Sequence, residues 1–192
     1  MVIDVKRSGS RSMNQFEIYT IGHSNHAMDH FIALLKQHEI EALADVRRFP
    51  SSRRLPHFNR PNLAGALEEH GIEYHWLELL GGHRAEGLAE SPNFGIKDAS
   101  FRNYADHMLG DEFRQGADQL LEIAENRRVA IMCAEKSFHE CHRKLTSDFL
   151  VAGGAVVQHI LADGKLESHN LSDGAKERDG SVTYPESHPL FD

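Results

Sequence analysis

Apolar positions along the chain alternate between two spacings. Phe16 to Ile21 reads as a strand. Phe31, Leu34, Leu35 and His38 then recur at helical spacing, with Asn25 as the N-cap and Asp29 in the first turns. Ile40 to Val46 reads as a second strand. Leu63, Ala66, Leu67 and His70 give a helix, and Pro61 suits its first turn. Ile72 to Leu77 is a third strand. Phe101, Tyr104, Ala105 and Met108 share one helical face, and Phe113, Ala117, Leu120, Leu121 and Ala124 share another. Val129 to Met132 is a fourth strand. Residues 141–152 form a helix ending at Gly153-Gly154, and Ala155 to Leu161 is a fifth strand. Strands alternating with helices predict an α/β fold, a mostly parallel sheet of about five strands flanked by helices.

The pattern fades at both ends. Residues 1–15 are polar, with Lys6, Arg7 and Arg11 among serines and glycine, and read as a flexible arm. Residues 163–192 are rich in Asp, Gly, Ser, Glu and His and read as a polar tail, either mobile or wrapped on the surface. If the tail packs, Tyr184, Leu190 and Phe191 are its candidate anchors. A single domain over residues 16–162 is therefore expected, contributing nearly all of the stability.

Bulk properties narrow the class. The 192 residues suit one compact domain. A formal net charge of -8 argues against wholesale coating of a nucleic acid or an acidic membrane, while leaving room for a local basic patch. Two cysteines cannot staple a chain of this length, so a reducing cytoplasm is the expected location. No apolar run approaches the roughly 20 residues needed to cross a bilayer. No signal specifies a cofactor or an oligomeric state.

Candidate chemistry gathers after each strand. Gly22, His23 and Ser24 follow the first. Asp45, Val46, Arg47 and Arg48 end the second. Leu80, Gly81, Gly82, His83 and Arg84 lie beyond the third, Cys133, Ala134 and Glu135 follow the fourth, and His159 sits in the fifth. In a parallel sheet these ends share one edge, where the crevice of an open α/β fold lies.

The loop after the second strand is unusual. From Val46 to Leu67 it holds five arginines (47, 48, 53, 54 and 60) and no acid. Pro50, Pro56 and Pro61 stiffen it, and Phe49, His57 and Phe58 add aromatic surface. Arginine forks bind phosphate or carboxylate, and rings stack on bases. A solvated loop offsetting the acidic remainder is the plainer reading.

Residues 129–143, VAIMCAEKSFHECHR, hold both cysteines. Cys133 has three readings: a small buried residue ending a strand, a nucleophile activated by a helix start with His139, His142 or Arg143 nearby, or a metal or redox ligand with Cys141 and a histidine. The spacing matches neither a Cys-x-x-Cys zinc motif nor the cysteine phosphatase loop. In that loop arginine follows cysteine after five intervening residues, whereas here position 139 is His and the arginine arrives at 143. A disulfide between strand end and helix start is not expected.

Positive charge at His142 and Arg143 would oppose the helix dipole unless Glu135, Glu140 or a bound anion meets it. Asp45 either orients a catalytic group or pairs with Arg47 or Arg143. His23 is a general base, a metal ligand or a local cap. Gly81-Gly82 is a weak phosphate-loop signal, because no Lys-Ser/Thr follows it.

Several of these segments form an ordered set: IYTIGHS (18–24), DVRRFPSS (45–52), P-x-F (56–58), YHWLELLGG (74–82), F-x-x-Y-A-x-x-M (101–108), MCAE (132–135) and CHR (141–143). In this order they resemble the prokaryotic domain-of-unknown-function family numbered 488, over about residues 17–161. The resemblance implies a small cytosolic α/β protein with its site in the Thr-Ile-Gly-His-Ser, Asp-Val-Arg and Cys-Ala-Glu…Cys-His-Arg segments. It supplies no substrate.

The expectation is an enzyme acting on an anionic, phosphate-bearing nucleotide or nucleic-acid end. Arg47, Arg53 and Arg143, with Ser24, Gly81 and Gly82, would hold the anion. Cys133 would be the nucleophile or a wall of the pocket. His23 or His142 would move protons, and Asp45 or Glu135 would orient them. Two rivals stand beside it: a non-catalytic nucleic-acid-binding module using the 47–60 loop, and a metal-binding or redox-sensing protein using Cys133, Cys141 and nearby histidines.

Overall fold

The computed structural model describes residues 16–186. Six strands form one sheet: β1 (Glu17–Gly22), β2 (Ala42–Asp45), β3 (Glu73–Trp76), β4 (Val129–Cys133), β5 (Val156–Ile160) and β6 (Leu166–Ser168), in the spatial order β3-β2-β4-β1-β5-β6. The first five run parallel, and β6 joins the β5 edge antiparallel. Helix α1 (Met28–Gln37) connects β1 to β2, and α2 (Arg60–Glu68) connects β2 to β3. Helices α3 (Ala99–His107) and α4 (Asp111–Ala124) precede β4, and α5 (Arg143–Ala152) leads from β4 to β5. The α/β architecture read from the sequence is the one observed.

The central strands are apolar on both faces, as a sheet covered on both sides requires. Ile18, Ala44, Ile131 and Cys133 pack with α3, α4 and α5, while Tyr19, Ile21, Leu43 and Met132 pack with α1 and α2. The chain leaves β1 toward α1 on one face and leaves β4 toward α5 on the other. Neighbouring strands whose exits diverge create a crevice at their carboxyl ends. The β1–β4 ladder continues into that crevice, where the His23 N–H donates to the Cys133 carbonyl and the Ser24 N–H to the Ala134 carbonyl, both at 2.9 Å.

Three local expectations are corrected. Helix α1 begins after Ala27 and has no side-chain cap, so Asn25 is not its N-cap. Helix α5 begins at Arg143 after His142, and Cys141 has extended backbone (φ −135°, ψ 145°). A single 3-10 turn, Phe138–Glu140, precedes it. The third concerns the polar tail, read either as mobile or as a surface wrap, of which residues 163–186 pack on the domain. A hairpin of β7 (Lys176–Arg178) and β8 (Ser181–Thr183) follows β6, and Val182 and Tyr184 are buried. Tyr184 OH donates to Asp148 Oδ2 at 2.7 Å, and the Ser172 N–H donates to Asp148 Oδ1 at 2.7 Å. The buried Asp148 carboxylate of α5 therefore fastens this segment, as Tyr184 as anchor anticipated. Leu190, Phe191 and the arm over 1–15 lie outside the described residues.

Candidate active site

A cleft of about 570 Å³ opens at the carboxyl ends of β1, β2 and β4. Of the residues expected at the site, His23, Ser24, Arg47, Gly82, Cys133, Glu135 and His142 line it, and Asp45, Arg53, Gly81 and Arg143 do not. Arg84 and Tyr104, which also line it, had no role in the sequence reading, and Arg48 and Phe49 entered it only as members of the arginine-rich loop. Arg48 and Phe49 continue the arginine run and Arg84 follows the Gly-Gly pair, so their segments were visible. Tyr104 carried only a core signal.

Cys133 and Cys141 form the floor. Both are free thiols, yet they are closer than a strand end and a helix start suggest: Cys133 Sγ, Cys141 Sγ and His142 Nδ1 all lie within 4.8 Å of one another. The extended backbone at Cys141 turns its side chain back toward β4. Cys133 Sγ is 2.9 Å from Glu135 Oε2, and the Arg143 Nε–H donates to Cys141 Sγ at 3.4 Å. The hydrogen bond to Cys141, burial and the Glu135 carboxylate push the Cys133 thiol well above the usual range. Burial opposes a charge on Cys141 too, but the Cys133 thiol, His142 and Arg143 outweigh it and hold Cys141 well below that range. Of the two, Cys141 is the one whose surroundings favour negative charge. Burial and the nearby Cys141 raise the Glu135 carboxyl, which suits it to carry a proton.

His142 is aimed by packing. Its ring lies 4.9 Å from that of Tyr104, and its Nε2 is buried without a hydrogen-bond partner among the described residues. Gly82 lies against the ring, where a Cβ would come within 2.2 Å of Nδ1. This close approach, rather than a phosphate loop, accounts for a glycine at 82. Gly22 is similar, because a Cβ there would lie 2.0 Å from the Glu135 carbonyl oxygen.

The wall consists of a buried ion pair. Arg47 Nε donates to Asp45 Oδ1 at 2.9 Å and its NH2 to Oδ2 at 2.5 Å, while Tyr74 OH donates to the same Oδ2 at 2.7 Å. Arg47 also donates from NH1 to His23 Nε2 at 3.3 Å. His23 Nδ1 must then carry the proton it donates to the Ser24 carbonyl at 2.9 Å. Burial, with Arg47 beside it, lowers His23 to about 4. His23 thus has both ring nitrogens engaged and positions Arg47, which leaves it no free lone pair for the proton transfer envisaged above. Asp45 is the ion-pair partner of Arg47, one of its two sequence readings.

Arg143 departs furthest from expectation. It is 1% exposed. Besides Cys141, it donates to the Glu135 carbonyl at 2.7 Å and to Thr20 Oγ1 at 3.3 Å. These acceptors meet its charge, so the anion cradle expected from Arg143 at the start of α5 is not presented. A hydrogen-bonded chain continues beneath it. Thr20 Oγ1 meets His159 Nδ1 at 2.7 Å, His159 Nε2 meets His169 Nδ1 at 2.9 Å, and His169 Nε2 donates to Asp148 Oδ1 at 3.0 Å. Each group can donate to the next, from Arg143 to Asp148. His159 belongs to this buried chain and does not reach the cleft.

Cations that face the cleft are Arg47, Arg48 and Arg84. Arg48 pairs with Glu78 at 3.1 Å and keeps a third of its side chain exposed. Burial and the nearby Arg48 lower Arg84, which donates to the Leu79 carbonyl at 2.9 Å and lies 3.9 Å from Glu112, while its buried Nε has no partner among the described residues. Arg53 is exposed beyond the cleft. Phe49, 67% exposed, stands at the mouth. Among the described residues no helix is long and apolar enough to cross a membrane.

Comparison with known proteins gives one match. The family model described as Domain of unknown function DUF488 matches residues 27–150. No curated protein and no solved structure matches.

Proposed function

The chain belongs to the Domain of unknown function DUF488 family, and from its cleft we propose an enzyme that acts on an anionic, phosphate-bearing substrate, a nucleotide or a nucleic-acid end. One observation carries the reading. The sulfurs of Cys133 and Cys141, the Glu135 carboxyl and His142 share the floor of a cleft whose wall presents Arg47, Arg48 and Arg84. Arg48 and Arg84 hold the anion, because their acidic partners Glu78 and Glu112 are exposed and the Arg84 Nε has no partner among the described residues, whereas Arg47 is locked to the buried Asp45. The exposed Phe49 ring at the mouth favours a substrate that carries a base to stack on it. Glu135 moves the proton, and the sulfur–histidine floor supplies the reactive centre.

The test is a turnover screen of full-length protein against phosphate-bearing metabolites, nucleotides and oligonucleotide ends. Turnover that disappears in Cys141→Ser and in Glu135→Gln is expected. Nucleic-acid binding that falls steeply with salt and never accompanies turnover would replace the enzyme with a binding module.

A further inference from the structure

The floor of the cleft has the dimensions of a coordination polyhedron. The two sulfur–nitrogen edges, from Cys133 Sγ and Cys141 Sγ to His142 Nδ1, are 3.8 and 3.7 Å. The sulfur–sulfur edge is within 4.8 Å. With zinc–sulfur bonds of about 2.3 Å and zinc–nitrogen bonds of about 2.0–2.1 Å, tetrahedral angles place sulfur and nitrogen roughly 3.6 Å apart and two sulfurs roughly 3.8 Å apart. The two sulfur–nitrogen edges are long for hydrogen bonds and close to the tetrahedral value, and the sulfur–sulfur edge lies within 4.8 Å.

We propose that Cys133 Sγ, Cys141 Sγ and His142 Nδ1 bind a zinc ion through three protein ligands, with the fourth position open to the cleft. The donor set selects the metal class: two sulfurs and an imidazole favour zinc over the hard cations magnesium and calcium. The absence of a Cys-x-x-Cys pair does not count against it. Paired cysteines mark closed four-ligand structural sites, whereas three ligands with an open position are the catalytic arrangement.

The surroundings fit that arrangement. Two thiolates balance the charge of the ion, and the Arg143 Nε–H at 3.4 Å from Cys141 Sγ is an outer-shell donor to a ligand. His142 is held in its aim by Tyr104 and by the backbone at Gly82. Glu135, 2.9 Å from Cys133 Sγ, is a carboxyl beside the ligands. This inference rests on the enzyme reading for what the site acts on, but its geometry is independent of it.

The experiment uses full-length protein without a metal-affinity tag, purified without chelator. Elemental analysis should find one zinc per chain. Cobalt replacement should give a thiolate-to-metal charge-transfer band with tetrahedral visible bands. Cys133→Ser, Cys141→Ser and His142→Ala should each weaken zinc, measured against a chromophoric chelator, by more than the ~10–100-fold typical of losing an outer-shell partner. Glu135→Gln should retain the zinc and the cobalt spectrum. Because a cysteine variant can misfold, the parent supplies a second reading: bound zinc should protect both thiols from alkylation, and its removal should expose them. Zinc bound no more tightly by the parent than by the Cys133→Ser/Cys141→Ser double variant overturns the proposal, as does a cobalt spectrum without the thiolate band. If phosphate still raises the melting temperature in that case, the anion cleft stands and only the metal falls. One tightly held zinc with no response to any phosphate-bearing ligand would leave the metal and remove the substrate class.

Discussion

Arg143→Ala should damage the fold before it damages binding. The side chain is 1% exposed, and its guanidinium donates to the Glu135 carbonyl at 2.7 Å, Thr20 Oγ1 at 3.3 Å and Cys141 Sγ at 3.4 Å. A hydrogen bond from a charged group contributes about 1.5–3 kcal/mol, and truncation also leaves a cavity. Relief of the buried charge offsets part of this. Deleting one member of a buried charged network nets about 3–5 kcal/mol of destabilisation, or roughly 6–20 °C in melting temperature for a domain of this size. A second effect follows at the site. Cys141 loses the cation that helps hold its thiolate, so its alkylation should need higher pH. The assay pairs thermal melts at pH 7 with the pH dependence of iodoacetamide labelling of Cys141, followed by peptide mass spectrometry in chelator-dialysed protein. Arg143→Lys, which keeps the charge but cannot span three acceptors, should fall between the two. A melting temperature within ~2 °C of the parent and an unmoved labelling profile would refute the reasoning.

Acid should destabilise the protein earlier than carboxylate titration alone would. Burial lowers His23 to about 4 and His159 to about 3, with Arg47 adding to the first and His169 to the second. The unfolded chain therefore takes up protons that the folded one refuses. Their contribution is fully present above pH ~6.5 and is lost as pH falls toward those values, each histidine costing up to about 2 kcal/mol by pH 5. Urea melts at pH 7.5 and pH 5 measure it, and equal midpoints would contradict it. Gly82→Ala should cost about 1–3 kcal/mol by overpacking and push His142 off its aim, whereas Gly65→Ala in α2, with nothing within 4 Å of its added Cβ, should be neutral or stabilising by up to about 1 kcal/mol. Tyr184→Phe removes the hydroxyl on Asp148 and should cost about 1.5–3 kcal/mol. A chain ending at residue 164 should melt well below the parent, and equal melting temperatures would show that β6 to β8 are ornamental.

The sheet was legible because its central strands are covered on both faces. The run VAIMC, fully buried in β4, can serve little else. The last three strands were not legible, because LES, KER and SVT are three residues each, the first two exposed and the third with a single buried side chain. What fastens them is Tyr184 and His169 meeting a single carboxylate in α5, a contact with no local pattern. Arg143 misled for a related reason. Arginine in a first helical turn reads as calling for an acid or a bound anion, whereas the Glu135 carbonyl, the Cys141 sulfur and the hydroxyl of Thr20, far away in sequence, make a buried place for it. The same loops that marked the cleft, after β1, β2 and β4, could be read from polar residues at strand ends. The division of labour inside it could not, because it depends on which donor each acceptor meets.

The central claim, that this cleft binds a phosphate-bearing anion against Arg48 and Arg84 over a reactive sulfur floor, has a direct test. Alkylation of Cys141 in chelator-dialysed protein is followed with increasing inorganic phosphate and mononucleotide, in the parent and in Arg48→Ala, with both folds checked by circular dichroism. The account predicts saturable protection in the parent, stronger with the mononucleotide because Phe49 can stack on its base, and markedly weaker protection in Arg48→Ala. Alkylation at the same rate whatever the anion concentration, or protection equal in both proteins, would contradict it.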